Sequence, residues 1–64
     1  MSSDLLVYLS NKVQEEITRL SDDMSRGTAK DFGEYKYVCG IVRGLMMTNS
    51  ILEETSQRME KDDD

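Results

Sequence analysis

The stretch YKYVCGIVRGLMMTNSILEETSQRM, residues 35–59, decides the fold. Within it Tyr35, Val38, Val42, Leu45, Asn49, Leu52, Ser56 and Met59 alternate strictly by 3 and 4 positions. That is the heptad spacing that keeps one seam of a helix turned toward a neighbouring helix, and no strand has that period. Just upstream, Asp31-Phe32-Gly33-Glu34 has the pattern of a capping box: Asp31 can accept the Glu34 amide hydrogen and Glu34 can reach back, so the helix begins near Phe32. The spacing therefore predicts a helix over about 32–60. Polar Asn49 and Ser56 weaken the second half of its seam. Lys61-Asp62-Asp63-Asp64 places negative charge at the negative end of the helix dipole, so a frayed acidic tail is expected at 61–64.

Working outward, proline is absent, and the segment from Ser25 through Gly27 and Thr28 to Asp31 is the only cluster of turn chemistry. Ahead of it Leu6, Leu9, Val13, Ile17, Leu20 and Met24 recur every 3.6 residues on average, the repeat of a straight amphipathic helix. Ser2 or Ser3 can cap that helix, Asp4 suits its first turn, and Arg26 followed by Gly27 supplies a cationic end and a left-handed stop. The reading is an all-α single domain over 1–64: a first helix at about 3–26, a turn at about 27–31 and a second helix at about 32–60, folded back as an antiparallel hairpin. At 1.5 Å per residue the helices are roughly 35 and 45 Å long, so the end of the second overhangs the first.

A chain of 64 residues buries only about 60% of its unfolded surface, so its core is thin. Such folds ordinarily need a staple. The single Cys39 permits no internal disulfide, histidine is absent, and no calcium-type loop occurs, so neither metal nor cofactor is expected. Self-association or docking onto a larger protein, completing a helical bundle, is the remaining source of stability. The formal charge of −5 repels phosphate backbones and anionic lipid, which argues against nucleic acid and membrane surfaces as partners. No apolar run approaches the ~20 residues of a bilayer span, and no basic stretch precedes an apolar one as in a signal peptide. A Ser-His-Asp set and a phosphate-cradling loop are both missing, so catalysis is not expected.

The features left to carry function lie on the second helix. Gly40 and Gly44 form a G-x-x-x-G step flanked by Tyr37, Ile41, Thr48 and Ile51. Each glycine costs a helix about 1 kcal/mol relative to alanine, and close approach of another backbone would offset that loss. The favoured occupant is the first helix of the same hairpin, ahead of a helix from another molecule or a flexible hinge. Apolar residues also surround this helix too widely for one neighbour to cover. Met46 and Met47 read first as core filler, then as an adaptable contact surface. Tyr35 and Tyr37 are two positions apart, so both cannot enter one core. Asn49 is either a buried amide that fixes register or a wet residue beyond the reach of the first helix. Cys39 reads as a small buried hydrophobe, and the pairs Glu15-Glu16, Asp22-Asp23 and Glu53-Glu54 as solvated faces. The candidate interface is therefore Tyr37, Gly40, Ile41, Gly44, Met47, Thr48, Asn49 and Ile51.

The run from Gly27 to Leu45, with the pattern G-x-A-x-D-F-x-E-Y-K-Y-x-C-G-x-V-x-G-L, resembles small proteins of tailed bacteriophages. Those proteins share a leading helix, this turn and core, and an acidic end. The resemblance carries no catalytic motif. It implies either a minor structural or assembly protein of the virion, near the head or its connector, or a small regulatory protein that binds and inhibits a host enzyme. The expected location is the virion or the host cytoplasm.

Overall fold

The computed structural model describes residues 2–62, and two helices with one short turn between them make up those residues. α1 spans Ser2–Ser25 and α2 spans Phe32–Asp62, and they pack against each other as a helical hairpin. Among the described residues there is no strand. Both expected elements are present, with three adjustments at their ends. Ser3 lies inside α1 and so does not cap it, and the Ser2 side chain lies outside the described ones. Arg26 falls one residue beyond the last turn of α1. At the far end α2 continues through Lys61 and Asp62, where the Lys61 ammonium complements the helix dipole; Asp63 and Asp64 of the expected acidic tail lie outside the described residues.

The turn is built as its residues dictate. Gly27 adopts φ +77°, the left-handed conformation that glycine takes without penalty, and ends α1. Its amide donates to the Met24 carbonyl at 3.0 Å, and the hydroxyls of Ser25 and Thr28 donate to the carbonyls of Asp22 and Asp23 at 2.7 and 2.9 Å. These bonds satisfy carbonyls that the helix end would otherwise orphan. At the start of α2 the Glu34 amide donates to Asp31 Oδ1 at 2.8 Å. The return bond of the box comes from the Lys30 amide to Glu34 Oε2 at 3.2 Å, one residue earlier than in the simple motif.

The residues least exposed on α2 are Val38, Val42, Leu45, Asn49, Leu52, Ser56 and Met59, as the heptad spacing predicts, with Cys39 beside them. Tyr35 is the exception: it lies outside the seam, exposed, with its ring stacked on Phe32 at 6.2 Å between centroids. On α1 the seam is Ser3, Leu6, Ser10, Val13, Ile17, Leu20 and Met24. Leu9, which the apolar pattern placed there, is 40% exposed, and its neighbour Ser10 is buried in its stead. The reason is a partner across the hairpin: the Ser10 hydroxyl donates to Asn49 Oδ1 at 2.5 Å. The Asn49 amide in turn donates to Gln14 Oε1 at 3.4 Å, and Gln14 Nε2 donates to Thr18 Oγ1 at 3.5 Å. This chain of bonds fixes the antiparallel register. Slippage by one heptad that set Asn49 level with Ile17 would bury an unpaired amide.

The resulting core is small. Ile17 is the one apolar side chain buried to 9% exposure among the described residues, while Ser10, Asn49 and Ser56 are buried polar groups. The molecule is a rod of 51 × 15 × 11 Å with an accessible surface of 5163 Å². A compact monomer of 7.3 kDa would expose about 4,200 Å², so the isolated hairpin leaves about 1,000 Å² more surface wet than its mass requires. Ion pairs do not make up the difference. Arg19 bridges Glu16 at 2.8 Å and Asp23 at 3.6 Å, and Lys12 meets Glu15 at 3.8 Å, all within α1 and well exposed. The Glu16 carboxylate, by hydrogen bond and by charge, raises the pKa of the Arg19 guanidinium, which holds its charge regardless. Such surface pairs contribute little to folding.

Candidate protein-binding face

Each residue turns a helix by about 100°, so fixing the seam of α2 fixes every other face. With Val38, Val42, Leu45, Asn49 and Leu52 against α1, one flank carries Tyr37, Ile41, Gly44, Thr48 and Ile51, with Gly40 and Met47 slightly farther round. The flank runs for about 21 Å. It contains no charged side chain, and all seven residues are exposed, Tyr37 to 70% and Ile51 to 62%. The Thr48 hydroxyl donates to the Gly44 carbonyl at 2.9 Å, which satisfies its polar atom inside the helix and leaves its methyl to the surface.

Gly40 and Gly44 sit in the middle of this flank. A methyl group built on either would meet no atom within 4 Å. The expectation that α1 packs into the G-x-x-x-G step is therefore corrected: α1 lies along the seam, and the glycines face open space. The core-filler reading of the methionines is corrected for the same reason, since Met46 and Met47 are both exposed, about 100° apart around α2. Asn49 leaves the candidate interface altogether. It is 7% exposed beneath α1, which starts early enough to cover it, and its amide is bonded on both sides. The other seven candidates, Tyr37, Gly40, Ile41, Gly44, Met47, Thr48 and Ile51, come together on one surface.

Two residues of α1 extend that surface. A shallow groove of about 290 Å³ between the helices is lined by Val7, Ser10 and Asn11 from α1 and by Glu53, Ser56, Gln57 and Glu60 from α2, and so marks one side of the hairpin. Leu5 and Leu9 lie on the opposite flank of α1, and Tyr37, Ile41 and Ile51 on the opposite flank of α2. Both leucines are exposed, at the end of the hairpin near Ile51. The signal was present in the sequence: Ser3, Leu6, Ser10, Val13, Ile17, Leu20 and Met24 alternate by 3 and 4 as strictly as the seam of α2 does, which displaces Leu5 and Leu9 to a flank.

The groove side differs in chemistry. It carries Glu53 and Glu60 beside polar Asn11 and Gln57. Farther along that side of α2, Cys39 is half-buried and acts on Tyr35, whose phenol is held above its ordinary pKa by a hydrogen bond to the thiol and by the thiolate charge. Among the described residues no cluster of three His, Cys, Asp or Glu side chains could hold a metal ion, and no helix is long and apolar enough to cross a membrane.

Comparison with family models, with curated proteins and with solved structures found no match. The reading of this chain thus rests on its own geometry. The stripe is uncharged and has two side-chain-free positions. It can exclude water against another apolar surface, and the glycines admit that surface to within backbone distance.

Proposed function

We propose that this chain is a non-enzymatic protein–protein interaction module that presents the Tyr37 to Ile51 face of α2 to a helical partner. The observation that carries the reading is the exposure, on a hairpin already closed, of an uncharged face with two open glycines. Large contiguous apolar patches on small proteins mark binding surfaces. The excess wet surface of the rod points the same way. Combined with the resemblance of Gly27 to Leu45 to small tailed-phage proteins, this favours a minor structural or assembly protein of a phage particle, associated with the head or connector.

The test is cofractionation with purified particles at a fixed copy number per particle. Stoichiometric recovery after a salt wash supports the reading, because an apolar interface is insensitive to screening. Absence from particles, with expression early in infection, would refute it in favour of a regulator of a host enzyme.

A further inference from the structure

The charge pattern of α2 identifies what fits the open face. From Lys36 to Ser50 the helix carries two cations, Lys36 and Arg43, and no anion. From Ile51 to Lys61 it carries three anions, Glu53, Glu54 and Glu60, against Arg58 and Lys61. The face itself is neutral, with Gly44 at its midpoint: Tyr37 lies seven residues before it and Ile51 seven after. A surface that is charged oppositely toward its two ends and apolar about a central glycine is complementary to itself when reversed.

We infer that the occupant of this face is a second copy of the chain, with the two α2 helices antiparallel about a two-fold axis at Gly44. This rests on the reading that the Tyr37 to Ile51 face binds protein. Reversal about Gly44 sets Tyr37 of one copy against Ile51 of the other near the centre of the face, Ile41 against Thr48 on one edge, and Gly40 against Met47 on the other. Met47 thus falls over the side-chain-free Gly40, and Gly44 meets Gly44 where the axes come closest. Lys36 and Glu54 occupy the same edge of the face, about 80° from its centre, so Lys36 of one copy lies within about one turn of Glu54 of the other. Symmetry makes two such pairs. Both residues are available, since neither enters an ion pair formed among the described residues. The Lys36 ammonium instead rests 5.8 Å over the Phe32 ring. A parallel pairing would form neither pair, because Lys36 and Glu54 would then stand about 27 Å apart along the axis.

The area is sufficient. Tyr37, Ile41, Met47 and Ile51 expose on the order of 500 Å² per copy, giving about 1,000 Å² for the pair, the threshold of a specific interface. That is within the surface which the isolated hairpin leaves wet beyond the need of its mass.

Sedimentation equilibrium of the full chain over two decades of concentration tests the inference. The expected result is a dimer, twice 7.3 kDa, dissociating on dilution. Gly44→Leu should yield a monomer of undiminished helicity, because the added side chain meets nothing within the hairpin and leucine is the better helix former. Lys36→Glu and Glu54→Lys should each weaken the dimer about tenfold, and the double exchange should restore it, which only the antiparallel arrangement predicts. A monomer at every concentration overturns the inference. So does a dimer indifferent to Gly44→Leu, or a double exchange no tighter than the single ones. A monomeric chain that still copurifies with particles overturns the self-pairing and leaves the binding reading standing.

Discussion

Replacing Ser10 by alanine removes one hydroxyl from the seam and leaves Asn49 Oδ1 without its partner. Asn49 is 7% exposed, so water does not readily take the place of the lost bond. The orphaned amide should destabilise the hairpin by about 1–2 kcal/mol. Asn49→Leu alone removes the amide and buries an apolar side chain at the same site; the Ser10 hydroxyl can then turn to a carbonyl of its own helix. Combining Ser10→Ala with Asn49→Leu removes both polar groups and adds roughly 1.5–2 kcal/mol of apolar burial against about 1 kcal/mol of lost bond, so the double variant should exceed the parent by about 1 kcal/mol. For a domain of this size that raises Tm by about 4–8 °C. Urea unfolding followed by circular dichroism, with all four proteins at one concentration, gives the full cycle. The single alanine variant should fall below the parent and the double variant rise above it. Strictly additive changes, with Ser10→Ala indistinguishable from the parent, would refute the buried bond and the register it sets.

Two further outcomes follow from local geometry. Asp31→Ala deletes the acceptor of the Glu34 amide and should lower stability by about 1 kcal/mol, read as a loss of about 4–8 °C in Tm; Asp31→Asn, which keeps an acceptor, should recover most of it. Cys39→Ala removes the group that holds the Tyr35 phenol above its ordinary pKa, so the ring-carbon resonance of Tyr35 should titrate at lower pH in that variant. Because the folded value is the raised one, the Tyr35 contribution is present below the unfolded pKa and lost as pH climbs through the folded one. An unchanged Tyr35 titration would exclude the thiol as the cause.

Much of this architecture is legible in the residues, and the places where it is not share one cause. α2 could be read because its apolar positions alternate strictly by 3 and 4 and because Asp31 and Glu34 announce its start. Gly27 could be read because only a left-handed residue ends α1 there. The seam of α1 departs from the apolar pattern at Leu9 and Ser10, where hydrophobicity favours the leucine and the register favours the serine. Hydrophobicity acts residue by residue, whereas Ser10 is buried by virtue of Asn49, 39 positions away. The glycine step faces away from α1 for a related reason. Its spacing shows that a backbone can come close, and the side from which it comes depends on the seam through Val42 and Asn49. Once that seam is known, Gly40 and Gly44 must face away from α1, and the seven remaining interface residues fall into line.

Met46 and Met47 offer the most direct test, since the isolated hairpin exposes them almost equally, to 55% and 63%, while Met47 borders the Tyr37 to Ile51 face and Met46 is turned away from it. Peroxide oxidation of the two thioethers, timed by peptide mass spectrometry on the full chain, reports how wet each one is. A covered Tyr37 to Ile51 face predicts that Met47 oxidises several-fold more slowly than Met46 and that dilution, or Gly44→Leu, removes the difference. Equal rates for the two methionines at every concentration would contradict it.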